Sequence, residues 1–409
     1  MKKAKILFAP LGLYFSHISR CLSIAKELES RFDIEFISCE RYANFITEEG
    51  FKVHRTASEN QMKQSIFGAE DSFQERFNNL LAEENYNYLE MILSDFRIIS
   101  DIKPDMIVFD GRITAHLVAE YMNIPSIEIR NHVGILSKHE LEMINDSTIE
   151  REVEFNLNDI KNSYQEIMDA IKVLPQIHFL NFLKSYTFPP IIVPGFEEFE
   201  LSEKVNIFSD RKHLFVGPLV WNGWKKWDKK ITYKKDKKTI LVTLGSTFPI
   251  EKTIQTIIDA LAGDDYYLII NTGDNFNFKS SNNTFQGFEV HQYLNIEETV
   301  KNVDLVIHHG GHGTAMLSLK AGKPSIVIPF NGDHLEISRT ISKLELGLRI
   351  KKYPEDITEN EILEAVNQIF DNDIFKKNAQ KMANYIKNKK DPEVKAAEFI
   401  EKQIILMTN

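Results

Sequence analysis

Apolar residues fall along this chain in two alternating patterns, short unbroken runs and longer stretches at helical spacing. "AKILFAP" (4–10) is a run closed by Pro10 and Gly12. "ISRCLSIAKELES" (18–30) then sets apolar residues three and four apart, and "DIEFIS" (33–38) is a second run. That order predicts strand, helix, strand. Residues 60–103 read as largely helical, "DMIVFD" (105–110) returns to strand, and 138–185 read mostly as helix before the proline-punctuated "FPPIIVPGFEEFE" (188–200). The second half restarts at "KKTILVTLGS" (237–246). A helix is expected near 250–262, a strand at "YYLIINTG" (266–273), and then comes "IHHGGHGTAMLSLKAGKPSIVIP" (307–329). Continuous apolar strands alternating with helices are buried on both faces, which predicts parallel sheets and an α/β fold.

An internal comparison sets the domain organisation. "DMIVFDGRITAHLVAEYMNIPSIEI" from Asp105 aligns without a gap on "DLVIHHGGHGTAMLSLKAGKPSIVI" from Asp304. Each has an Asp, a buried strand, a glycine turn, a helix, and Pro-Ser-Ile entering the next strand. At 409 residues the chain exceeds what one hydrophobic core organises. Two Rossmann-like, doubly wound domains facing a cleft are therefore expected. Their ligands would lie at the carboxyl ends of the strands. The boundaries read as 1–218, a linker at 219–238, a second domain at 239–392, and a C-terminal helix at 393–409 packing back on the first domain. The linker holds the lysine-rich "WNGWKKWDKKITYKKDKK", with Trp221, Trp224 and Trp227, every tryptophan of the chain.

Composition narrows the partners. A hydrophobic share of 43% with 26% charged residues is that of a soluble globular protein. A net charge of −10 argues against nucleic-acid binding, which needs a basic domain. Cys21 and Cys39 make neither a disulfide framework nor a metal spacing, so free thiols in a reducing compartment are expected. The apolar start imitates a leader, but Pro10 and Gly12 interrupt it and no small-residue cleavage site follows. No apolar stretch nears the ~20 residues that span a bilayer.

The chemistry concentrates in "HHGGHGT" (308–314). Gly310, Gly311 and Gly313 let the backbone turn sharply and come close to a ligand. A helix beginning near Thr314 would aim unpaired amides, with the positive end of its dipole, at that gap. This is a phosphate cradle, to which His309 and the Thr314 hydroxyl add donors. It is neither the dinucleotide G-x-G-x-x-G nor a Walker loop.

These residues, with "SLKAGKPSIVIPFNGDH" (318–334), resemble the donor signature of GT-B glycosyltransferases of the family 1 type. They also share features with the related family 28 GlcNAc transferases. Further matches are "SHISRCLSIAKEL" (16–28), with Ser16 and Arg20 where the family carries Gly and Pro, "PDMIVFD" (104–110), "FVGPL" (215–219) and "LVTLGST" (241–247). The resemblance implies an inverting, metal-independent hexosyl transfer from a nucleotide diphosphate sugar to a hydroxyl, with no other cofactor. It implies His17 as general base and Asp110 as the carboxylate that orients it. It places Gly12, Gly245, Ser246, Thr247, Tyr293, Leu294, His309, Gly310, Gly311, His312, Gly313, Thr314, Asp333 and His334 around the donor. Asn295 and Ile296 replace the family's Pro-Gln at the nucleobase, and His334 replaces a Gln that reads sugar hydroxyls.

Leu317 stands where many members carry a Glu that grips the ribose. A UDP-sugar is favoured on the resemblance, and a dTDP-sugar becomes conceivable. The acceptor is a small molecule or a lipid, bound by "RNHVGI" (130–135) and the helices of 60–100. Two readings of the tryptophan linker stay open: a solvated connector, or a peripheral contact that would bring a cytoplasmic enzyme to the inner face of a membrane. Two further readings of the function also stay open, a non-catalytic sugar-nucleotide-binding subunit and a sugar-nucleotide epimerase of the same architecture.

Overall fold

The computed structural model describes residues 3–12, 14–56, 88–131, 189–200, 212–221, 223, 231, 233–234, 236–245, 250–263, 265–273, 284–285, 287–330, 332–352 and 354–408. The helical readings of 60–87 and 138–185, the indoles of Trp224 and Trp227, Ser246 and Thr247, and 132–135 of the acceptor loop lie outside these residues.

The first half forms a parallel sheet of β1 (Lys5–Pro10), β2 (Asp33–Cys39), β3 (Lys52–Thr56), β4 (Met106–Asp110), β5 (Ser126–Ile129), β6 (Ile191–Val193) and β7 (His213–Phe215). The strands lie in the order β3-β2-β1-β4-β5-β6-β7. The second half comprises β8 (Lys238–Thr243), β9 (Tyr266–Asn271), β10 (Thr284–Phe285), β11 (Phe288–His291), β12 (Leu305–His308), β13 (Ser325–Val327) and β14 (Gly347–Arg349). Its order is β10-β11-β9-β8-β12-β13-β14, with β10 antiparallel to β11. Each sheet starts in its middle, winds to one edge, and returns to the other side of its first strand. The reversal opens a crevice beside β1 and β4 in one sheet and beside β8 and β12 in the other.

The unbroken apolar runs have a direct cause. Ile6 and Phe8 of β1 join a core with the helix Phe15–Leu28, while Leu7 and Ala9 join another with the helices Tyr88–Ile102 and Ile113–Tyr121. Alternate side chains go to opposite faces, and both faces are covered, so no position is left for a polar residue.

The internal repeat is structural. The Asp105 carboxylate accepts from the Lys5 amide at 2.7 Å, and the Asp304 carboxylate accepts from the Thr239 amide at 2.9 Å. Each Asp thus pins the start of its strand to the first strand of its own sheet. The Pro125 carbonyl accepts from the Ile107 amide and the Pro324 carbonyl from the Val306 amide, the same bond in the two halves.

The halves meet at residues 219–221. Leu219 and Trp221 pack into the N-terminal core while Val220 between them packs into the C-terminal one. The helix Pro392–Thr408 then crosses back, burying Ala396, Ala397, Ile400 and Ile404 in the N-terminal core. Glu393 accepts from the Val220 amide at 2.9 Å, and Lys395 donates to the Phe215 carbonyl at 2.8 Å. Trp221 is 1% exposed and lies edge-on to Phe15 and Phe45. This corrects the reading of Trp221 as a membrane contact: its indole is core, and no lipid can reach it. Among the described residues no helix is long and apolar enough to cross a membrane.

Trp221→Ala removes a filled volume at this joint and is expected to cost about 3–5 kcal/mol. Chemical denaturation monitored by circular dichroism checks this, and an unchanged midpoint would refute the packing role.

Candidate functional site

The first half-site forms where β1 and β4 end side by side, Pro10 opposite Asp110. The chain turns through Gly12, which is buried, into the helix Phe15–Leu28, and His17 falls in its first turn. The His17 Nδ1 lies 2.5 Å from Asp110 Oδ1. Arg20, one turn along the same helix face, donates to the same carboxylate twice, Nε to Oδ2 and Nη2 to Oδ1, each at 2.7 Å. Arg20 Nη2 is also 3.1 Å from His17 Nδ1. Because Nη2 already donates to Oδ1, the short contact to the carboxylate assigns the Nδ1 proton to Asp110. His17 Nε2 is then the basic nitrogen.

Burial alone would push the Asp110 carboxyl up. The guanidinium of Arg20 and then the imidazole of His17 overcome that and hold it down at about 2. Burial also works against the charge of Arg20, and Asp110 more than offsets it. The Cys21 thiol beside them is pushed well up, first by burial and then by Asp110, so it stays protonated and inert.

Two neighbours fix this arrangement. Gly111 has φ +72°, and a Cβ there would lie 2.9 Å from the His17 ring. Arg112, fully buried, donates to Asp95 at 2.8 Å, and the Thr114 hydroxyl donates to the same carboxylate at 2.6 Å. That network ties the helix Tyr88–Ile102 to the turn carrying Asp110.

The second half-site lies at the ends of β8 and β12. The helix there is His312–Lys320, so it begins two residues before the expected Thr314. Gly311 takes the extended N-cap conformation, and the Ala315 amide bonds to its carbonyl. The amides of His312, Gly313 and Thr314 are therefore the unpaired ones.

Three of the glycines also make room for the chain's own residues. A Cβ on Gly311 would lie 2.4 Å from His309 Nε2, and one on Gly245 (φ +80°) would lie 3.1 Å from the same ring. A Cβ on Gly310 (φ +95°) would lie 2.8 Å from the His334 carbonyl. These three make room for the chain's own histidine turns, and Gly313 alone faces open space. The His309 and His334 rings meet edge to face with centroids 4.5 Å apart.

Burial keeps this cluster uncharged. It pulls His308 down to about 3, with His309 adding to the effect, and His309 down to about 4. His334 is held well below its usual range by burial, then by His309 and His308. His308 Nδ1 accepts from the Gly310 amide at 3.1 Å, while its Nε2 is buried with no hydrogen-bond partner among the described residues.

His312 differs. Its Nε2 lies 2.6 Å from Glu200 Oε1, a carboxylate of the N-terminal domain. Glu200 carried no distinguishing signal in the acidic "FEEFE". Arg20 could have been found from its helical spacing to His17.

The remaining positions sort as follows. Tyr293 is half-buried in the turn after β11. Leu294 and Leu317 both lie in the apolar cluster with Val220, Leu241 and Tyr267. Asn295 caps the helix Ile296–Asn302, its side chain accepting from the Glu298 amide at 3.1 Å, which accounts for its place in the family's Pro-Gln position. Asp333 lies in the first turn of the helix Gly332–Lys343, the element that carries His334. Among the described residues no group of three His, Cys, Asp or Glu is arranged to hold a metal ion.

The histidine cluster makes stability depend on pH. The folded values of His308 and His309 lie below the ~6.5 of an unfolded histidine. Their contribution is therefore complete above pH 6.5 and is lost as pH falls toward 4, where the unfolded chain binds protons that the folded one refuses. The melting temperature is expected to drop between pH 7 and pH 5, and His308→Asn, which keeps an acceptor for the Gly310 amide, should flatten that drop. An unchanged slope in the variant would contradict this account.

Residues 255–402 match the family model described as Erythromycin biosynthesis protein CIII-like, C-terminal domain. The chain is 22% identical over 411 residues to the NDP-glycosyltransferase YjiC of Bacillus subtilis (strain 168), covering 98% of this chain and 97% of that protein. Among solved structures, the calicheamicin glycosyltransferase CalG4 superposes with a TM-score of 0.73 at 18% identity, covering 100% of both chains. The spinosyn rhamnosyltransferase SpnG complexed with thymidine diphosphate gives 0.66 at 12% identity, covering 97% of this chain and 99% of that one. Relatives of matching length named glycosyltransferases decide between an enzyme and a non-catalytic binding subunit. With two doubly wound sheets, an imidazole–carboxylate pair at one switch point and a histidine-rich helix start at the other, the chain has the GT-B fold, is similar along its whole length to glycosyltransferases, and matches the EryCIII-like C-terminal domain in its second half.

Proposed function

We propose that the chain transfers a hexose from a nucleoside diphosphate sugar to a hydroxyl acceptor in a single inverting displacement that needs no metal ion. The observation that carries this reading is the His17–Asp110 contact of 2.5 Å at the switch point of the acceptor-side sheet. His17 Nε2 takes the acceptor proton as the acceptor oxygen forms its bond to the anomeric carbon. The bond to the diphosphate breaks on the opposite face, and its electron pair leaves on the diphosphate. Asp110 keeps the Nδ1 proton in place and balances the imidazolium that forms. Arg20 shares that carboxylate, so the base works beside a neutralised anion rather than a full one.

The departing charge is met by the free amides of His312, Gly313 and Thr314, with the helix dipole behind them. His309 stands beside them as a neutral ring with a single N–H to offer. The two half-sites are joined through Glu200, which bonds His312 and lies within electrostatic reach of Arg20.

Leu317, in its apolar cluster, offers no acceptor to a ribose hydroxyl, which favours a deoxyribose donor. The thymidine diphosphate held by the spinosyn rhamnosyltransferase neighbour supports the same choice. A thymidine diphosphate sugar is therefore the first donor class to test, with a UDP-sugar second.

His17→Ala is expected to lower the transfer rate by about 10²–10⁴ while leaving nucleotide binding intact. Transfer assays paired with calorimetric titration check it, and turnover retained in the variant would remove His17 from the mechanism. Gly111→Ala forces a side chain against the His17 ring and strains a left-handed turn, so it should depress turnover without changing nucleotide affinity. In thermal-shift measurements thymidine diphosphate should raise the melting point more than UDP does. The reverse ranking would restore the UDP-sugar reading.

A further inference from the structure

Resting on the donor reading above, we infer that Glu200 is a positioning residue for the leaving group. It holds the His312 ring across the domain boundary so that Nδ1 can carry a proton to the diphosphate.

Four histidines surround this turn, and burial holds three of them, His308, His309 and His334, below their usual range. His312 is the exception. It is the first residue of the helix that receives the diphosphate, and its ring reaches Glu200 through Nε2 at 2.6 Å. Among the described residues its Nδ1 makes no hydrogen bond. A ring that gives Nε2–H to a carboxylate has only Nδ1 left for a ligand. To donate there it must carry both protons, and the negative charge of Glu200 balances that state.

Glu200 is built into place. It ends the short helix Glu197–Glu200, and its carboxylate passes over Gly195, where a Cβ would lie 2.0 Å from Oε1. Phe196 and Phe199 of the same segment pack with Ala315, Met316 and Leu319 of the donor helix and with Ile337 and Ile341 of the next. The N-terminal domain thus grips the donor helix by an apolar anchor and the His312–Glu200 hydrogen bond together. Both partners are more than nine-tenths buried, which keeps competing solvent from the bond. The charged and titratable groups around it are Glu200 and, behind it, Arg20 with Asp110 from the N-terminal domain. On the donor-domain side the titratable groups of the adjoining turns are His308, His309 and His334, which act on one another. A continuous series therefore runs from the base to the leaving group: His17, Asp110, Arg20, Glu200, His312.

The test is calorimetric titration of the full chain with thymidine diphosphate and UDP, using thymidine and uridine as phosphate-free controls, from pH 6 to 8.5. Glu200→Gln and His312→Asn are each expected to weaken diphosphate binding about tenfold at pH 7.5, the scale of one charge-assisted hydrogen bond. Nucleoside binding should be unchanged, and the double variant should be no weaker than either single one. Wild-type affinity should fall more steeply with rising pH than that of Glu200→Gln. Melting curves establish that each variant is folded, and if Glu200→Gln is not, His312→Asn alone reads the same loss. Wild-type affinity and pH dependence in the folded variants, or losses that multiply in the double variant, overturn the inference while the donor reading stands. A wild-type protein that binds neither diphosphate overturns the donor reading and this inference with it.

Discussion

At the carboxyl end of β4 the chain must turn from strand to helix while leaving space above the turn for an imidazole. Gly111, at φ +72° and without a Cβ, does both, and the His17 ring occupies the space. At the end of β12 a left-handed glycine recurs, Gly310 at φ +95°, where a Cβ would press on the His334 backbone. In each half the residue before that glycine, Asp110 or His309, lies at the carboxyl end of a central strand. Strand ends deliver such side chains to the crevice because the sheet reverses direction there. A duplicated turn has thus been given an anion on one side of the cleft and neutral imidazoles on the other.

The electrostatics of the two sides follow from what each turn is packed against. Asp110 is buried, but Arg20 on the adjoining helix keeps it ionised, so an anion persists at depth to hold the His17 proton. Burial holds His308, His309 and His334 below their usual range, and they stay uncharged. Standing positive character at the start of the helix His312–Lys320 therefore comes from its backbone amides. Neutral rings around a helix start can accept a doubly charged group without a large field in its absence.

The two domains are joined by more than a connecting strand. Residues 219–221 divide their side chains between the two cores, the helix Pro392–Thr408 returns to the first domain, and Phe196 and Phe199 lodge in the second. Interfaces within a chain are ordinarily polar and permit relative motion. Here apolar anchors lie close to the donor helix, so any closing movement must pivot about them.

Much of the architecture was legible in the chain alone. Apolar runs without a polar position could only be strands covered on both faces. The gapless match of 105–129 to 304–328 announced two copies of one unit, and the family resemblance implied the pairing of His17 with Asp110. These features are local or periodic, and the physics that produces them acts over a few residues. What depended on folding was long-range. Arg20 reads as a replaced proline until Asp110, 90 positions away, comes to lie beneath it. Glu200 is one of three like residues until His312 arrives from the other domain, 112 positions on. Trp221 sits in a lysine-rich linker by composition, yet it is core because Phe15 and Phe45 enclose it. That a Cβ on Gly245 or Gly311 would meet the His309 ring, and one on Gly310 the His334 backbone, could not be read from the chain, since only the packed structure decides which atoms fill the space a missing Cβ leaves.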